Sequence, residues 1–132
     1  MIDRLPLGRA HRDVAVVVPQ RMEVDAEADH KQRHPERCQR QGVYIFDEPE
    51  SALSPARQME FLKLMRRMDE AGYCQVIMAT HSPILMAYPN ATLLRLSKYG
   101  LEPVTVRDTD HFRTLREFCE DPTGFVEATL AE

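Results

Sequence analysis

The sequence predicts an α/β domain built on a parallel βαβ core, and three observations predict it. Val43 to Phe46 and Cys74 to Ala79 are short apolar runs of the kind that form buried strands. Between them Met59, Phe61, Leu62, Leu64, Met65 and Met68 recur at spacings of three and four, the period of one helix face. Both runs end in chemistry-bearing residues, Asp47-Glu48 after the first and Thr80-His81-Ser82 after the second. Strand, helix and strand within about 35 residues form a unit with a right-handed crossover and parallel strands. Unbroken apolarity in the strands further predicts a sheet covered on both faces.

Composition narrows the function classes. A chain of 132 residues suffices for one modest domain, with 43% hydrophobic and 29% charged residues. The formal net charge of -4 gives no global basic footprint for nucleic acid, leaving room only for a local patch. No apolar run approaches the length that crosses a membrane, and the N-terminus lacks the apolar core of a signal peptide, so direct membrane insertion is not expected. Cys38, Cys74 and Cys119 are odd in number and form no CxxC; they are expected as free thiols in a reducing, cytoplasmic compartment.

Residues 1–42 are expected to form a poorly structured or atypical N-terminal segment. It holds one strand candidate, Val14 to Val18, stopped by Pro19 and followed by a polar tract of mixed charge. His30, His34 and Cys38 are spaced by four and would line one helix face as metal ligands, but Pro35 interrupts that helix, which favours a solvated tract. Order is expected from residue 43 to residue 132. Ser54-Pro55 supplies a capping hydroxyl and a first-position proline for a helix from Ala56 to Ala71, ended by Gly72. Glu60, Lys63, Arg66, Arg67, Asp69 and Glu70 mostly fill its outer side, and the methionines read as core filler. Ile84 to Tyr88 makes a short helix at most, before the turn at Pro89-Asn90. Ala91 to Leu96 and Leu101 to Arg107 read as an antiparallel β-hairpin turning at Ser97 to Gly100. Asp108-Thr109-Asp110 then caps a helix from His111 to about Glu120, with Phe112, Leu115, Phe118 and Cys119 inward. Asp121-Pro122 breaks it before a last helical stretch, Phe125 to Leu130.

Ligands of such folds gather at the carboxyl ends of the strands, where Asp47 and Glu48 stand. Unpaired buried carboxylates are costly, so two adjacent acids there are most economically explained by a magnesium ion bound to nucleotide phosphates. The plainer alternative is a solvated acidic turn. Parallel strands bring His81 to the same sheet edge as Asp47 and Glu48; its plainer alternative is a histidine capping its own loop. Glu50 could orient the loop, meet Arg57 or face solvent.

These residues carry a resemblance. YIFDEPESALSPARQ, followed by VIMATHSPILMAYPNA, is similar to the C-terminal half of an ABC-type ATPase domain, in the soluble AAA or ABC-like branch related to the SMC-type nucleotide-binding head. The likeness covers roughly residues 42–132 and implies a partial P-loop NTPase fold using ATP and Mg²⁺. It implies that Val43 to Asp47 is the Walker B strand, with Asp47 holding the metal through its water shell and Glu48 polarising the attacking water. Ser51 to Ser54 match the D-loop of the dimer interface, making Ser51 and Ser54 nucleotide-side residues, and His81 matches the switch histidine at the γ-phosphate.

The sequence departs from that pattern in its first half. It has no G-x-x-x-x-G-K-[ST], only five glycines, and no signature segment within residues 19–42. The expectation is a truncated, split or shifted ATPase reading that hydrolyses little or no ATP alone, unless another chain supplies the missing half. Such a chain is expected to expose apolar sheet, and to associate with itself or with a complete ATPase partner; nucleic acid would be met only through the parent complex. Two other classes stand beside this one. A metal-dependent phosphoesterase or nuclease would join Asp47, Glu48 and His81 to Asp108 or Asp110; a catalytically silent fragment would dock on a complete ATPase through its D-loop surface and the 56–71 helix.

Overall fold

The computed structural model describes residues 14–18 and 41–131. Within them the order is β1 (Val14–Val18), β2 (Gly42–Asp47), α1 (Pro55–Ala71), β3 (Cys74–Thr80), α2 (Pro83–Met86), β4 (Thr92–Ser97), β5 (Gly100–Pro103), α3 (Asp110–Glu120) and α4 (Pro122–Leu130). Short 3-10 turns lie at Pro49–Ala52 and Val106–Asp108.

The βαβ unit forms as its sequence dictates. β2 and β3 pair in parallel, with Val43 opposite Gln75 and Asp47 opposite Ala79. Ser54 Oγ accepts the Arg57 N–H at 3.3 Å to cap α1, whose far end is closed by Gly72 in the left-handed region at φ 69°. The hairpin also forms, with β4 antiparallel to β5 and Leu96 opposite Leu101.

The N-terminal segment contributes more than expected. β1 is the middle strand in the order β2-β3-β1-β4-β5, and runs antiparallel to both β3 and β4. The sheet is therefore mixed rather than parallel throughout. The rest of 1–42 up to residue 40, including the spaced His30, His34 and Cys38, lies outside the described residues.

Coverage of the sheet differs from expectation. Met65 and Met68 of α1, with Leu85 and Met86 of α2, pack with Val76 and Met78 of β3 and Leu93 of β4 in one buried cluster. Tyr44 and Phe46 join from the same side of β2, Phe46 meeting Phe61 edge-on at 5.2 Å between centroids. On the opposite face Val43 is 57% exposed and Ile45 75%, with exposed Leu96 and Leu101 farther along the sheet. α1 and α2 lie on one side, and among the described residues no helix covers the other.

Three smaller differences have local causes. β5 stops at Pro103 instead of reaching Arg107: the Val104 N–H closes the ladder on Leu93 O at 3.0 Å, and Thr105 Oγ1 donates to Asp108 Oδ2 at 2.6 Å, turning the chain. That bond holds the exposed Asp108 carboxyl below its ordinary range. Asp69, expected on the outer side of α1, is buried, where its Oδ2 accepts from Tyr88 Oη at 2.8 Å and Asn90 Nδ2 at 2.7 Å. Burial, with the Asp69 bond second, pushes the Tyr88 hydroxyl up to about 12. The apolar side of α3 is more open than expected: Leu115, Phe118 and Cys119 are exposed. Cys74 is buried, with its Sγ 3.8 Å from Met68 O, and Cys119 is exposed.

Candidate functional site at the carboxyl ends of the parallel strands

β2 and β3 deliver their C-terminal residues to one edge, as parallel pairing requires. The Glu48 N–H extends the ladder by one bond, to Ala79 O at 2.9 Å. The chain then turns sharply, because Glu48 adopts φ 45° and ψ 55° and its carbonyl accepts the Ser51 N–H at 3.0 Å. It is the one described non-glycine residue at positive φ. Such a conformation costs about 1–3 kcal/mol for a residue with a Cβ and persists where surrounding structure enforces it.

That turn places the Glu48 side chain across from His81, with Oε1 at 3.0 Å from His81 Nε2. Both side chains are about half exposed, so the contact contributes little to stability and leaves the pair open to a ligand. Asp47 follows Val43 and Ile45 on the open-face side of β2 and is also exposed. Three of the residues singled out in the sequence thus share one edge, two of them in direct contact. Ser51 sits in the 3-10 turn after Glu48, and the Ser54 hydroxyl is engaged in capping α1.

The His81 loop is fixed from several directions. The Glu50 Oε1 accepts the His81 N–H at 2.6 Å, while its Oε2 is buried with no hydrogen-bond partner among the described residues. The Ser82 N–H donates to Thr80 Oγ1 at 3.0 Å, and Ser82 Oγ donates to Gln58 Oε1. Gln58 Nε2 in turn donates to Leu53 O at 3.3 Å. One buried side chain of α1 therefore ties the segment after Glu48 to the loop that carries His81.

A further histidine completes the cluster. His111, in the first turn of α3, brings Nε2 to 2.9 Å from His81 Nδ1. Both rings line an open groove of about 520 Å³ with Pro83, Asp110, Leu115 and Phe118 among its walls. Sequence reasoning missed Gln58 and His111 and left Glu50 undecided. Gln58 had a signal: it lies three, four and seven residues before Phe61, Leu62 and Met65, a polar residue on the inner stripe. His111 had none, because nothing local states where α3 docks.

Among the described residues, no three His, Cys, Asp or Glu side chains converge to hold a metal ion. Asp108 is turned to Thr105, and Asp110 lines the groove rather than joining Asp47. What the edge does supply is two adjacent exposed carboxylates. These are hard oxygen donors that fit a magnesium ion, which keeps most of its water and takes one or two carboxylates. No described helix is long and apolar enough to cross a membrane.

Comparison with known proteins points the same way. Residues 27–87, just under half of the chain, match the AAA-domain family described with the AbiEii toxin of type IV TA systems. The chain is also similar to the OLD nuclease of Thermus scotoductus, 40% identical over 55 residues, or 42% of this chain. That match covers 10% of the relative's length. No solved structure matches the chain. The two matches support an AAA-type, P-loop ATPase-like domain.

Proposed function

We propose that Asp47, Glu48 and His81 form the metal- and water-binding side of a MgATP site of the ABC/AAA type. The observation that carries this reading is the Glu48–His81 contact at 3.0 Å, made at the ends of two neighbouring parallel strands. Asp47 would hold Mg²⁺ through its water shell, and the ion when bound would offset charge on the β- and γ-phosphate oxygens. Glu48 would accept a hydrogen bond from a water molecule at the sheet edge. His81 presents an imidazole N–H beside that position, which suits it to a phosphate oxygen as well as to the carboxylate. Ser51 and Ser54 border the site, on the segment that resembles a D-loop. The residues do not include a glycine-rich phosphate cradle. The site as described orients metal and water and leaves most phosphate contacts to groups beyond it, so ATP turnover by this chain alone is expected to be very low.

Calorimetric titration of the purified chain with MgATP, beside Asp47→Ala, tests the reading. The expected result is weak, saturable binding that the substitution removes. Heats that do not saturate, or that are the same in both proteins, overturn it.

One observation favours a second role, a catalytically silent fragment docking on a complete ATPase partner. The exposed Val43, Ile45 and Leu101 make one sheet face apolar, with no helix over it among the described residues, as a domain half awaiting its complement would have.

A further inference from the structure

We propose that His111 is a positioning residue that sets the tautomer of His81. An ionised carboxylate only accepts hydrogen bonds, so the 3.0 Å contact with Glu48 is made only by the His81 tautomer protonated on Nε2, and between two half-exposed side chains that contact is too weak to hold the tautomer alone. A nitrogen-to-nitrogen contact of 2.9 Å between His81 Nδ1 and His111 Nε2 requires one proton between them. With both rings neutral, that proton belongs to His111, and His81 Nδ1 is the acceptor. The relay then runs from His111 Nε2–H to His81 Nδ1, and from His81 Nε2–H to Glu48.

The geometry around His111 suits a fixed donor. It lies two residues after Thr109, which is buried, donates from Oγ1 to Val106 O at 2.7 Å and accepts the Phe112 N–H at 3.2 Å. The Thr109 carbonyl also takes the Arg113 N–H at 3.2 Å, so the first turn of α3 is held from both sides. On the other ring, the His81 backbone is fixed by Glu50. The two imidazoles meet tilted by 36°, with centroids 5.2 Å apart. The role of a ring nitrogen is decided by the bond its other nitrogen makes. His111 thereby directs an N–H of His81 toward Glu48, and α3 becomes part of the machinery at the strand ends. The value of this for hydrolysis rests on the reading of Glu48 and His81 given above; the tautomer itself does not.

The test is nitrogen-15 NMR of the imidazole rings in the full chain at about pH 8, above the ordinary histidine pKa of about 6.5. The native protein is expected to show His81 Nε2 protonated, Nδ1 unprotonated, and a nitrogen–nitrogen coupling between His81 Nδ1 and His111 Nε2. His111→Ala should lose the coupling and move both His81 nitrogens toward tautomer-averaged shifts, whereas His111→Gln, whose amide still donates, should keep the native His81 pattern. Absence of the coupling in the native protein overturns the proposal without recourse to any variant. So do His81 shifts that are unchanged in His111→Ala, or that average equally in His111→Gln. The MgATP titration reads separately: its failure leaves the ring assignment intact, and failure of the ring assignment leaves Asp47-dependent binding intact.

Discussion

The two faces of the sheet obey different rules. On the covered face Val76, Met78 and Leu93 join one buried cluster with side chains of α1 and α2, and the polar atoms admitted there, such as Asp69 with Tyr88 and Asn90, are hydrogen-bonded. On the open face Val43 and Ile45 are as apolar as the core but meet solvent. The strands have one composition and two environments, because burial depends on which elements the chain supplies and not on the strand residues alone. The site at the strand ends borders both: Asp47 continues the open side, while the His81 loop is anchored through Gln58 and Ser82 into the covered one.

Truncation on each face tests that contrast. Met78→Ala, at a fully buried position of β3, should lower unfolding free energy by about 2–5 kcal/mol, read from urea denaturation. Ile45→Ala in the neighbouring strand should stay within about 0.5 kcal/mol. Equal losses would mean that both faces are covered in solution, which would erase the contrast.

Tyr88→Phe probes the polar atoms of the covered face, with an expected loss of about 1–3 kcal/mol from leaving a buried Asp69 oxygen short of a donor. The pH dependence has a definite sign. The folded hydroxyl titrates at about 12, above its ordinary value of 10, so the protonated form is favoured in the native state. Its contribution is complete below the unfolded pKa near 10 and is lost as pH rises from there through about 12. The stability difference between native protein and Tyr88→Phe should therefore shrink over that window; a constant difference would detach Tyr88 from the effect.

Ile45→Lys, like Ile45→Ala, is expected to change stability by no more than about 0.5 kcal/mol. Its effect should appear in association: sedimentation should show the native chain larger than a monomer and the lysine variant closer to one. Identical sedimentation of the two proteins would show that the open face is apolar without being adhesive.

Much of the fold was legible in local signals. Ser54-Pro55 and Gly72 bound α1 to within a residue, and the apolar runs gave β2 and β3. Their parallel pairing was enough to bring Glu48 and His81 together, because direction of travel decides which ends meet. What was not legible depended on distant partners. Asp69 looks like an outer-face charge until Tyr88 and Asn90 arrive beneath it. His111 reads as an ordinary early helix residue, since its neighbour is 30 positions away. The double-sided coverage inferred from apolar strands is not met among the described residues, because apolarity records what a face can bury and not what covers it.

The position of β1 has a consequence for the order of assembly. Val14–Val18 precedes the other described strands in the chain, yet its two neighbours in the sheet, Cys74–Thr80 and Thr92–Ser97, are made much later. The βαβ unit and the β4–β5 hairpin can each close on local contacts, but they join the same sheet only when the earliest strand is inserted between them. Pairing across so many residues is slow, since the loop-closure entropy is lost before the contacts are gained. Docking of β1 is therefore expected late in folding, and until it docks the βαβ unit and the hairpin present two unjoined sheet edges.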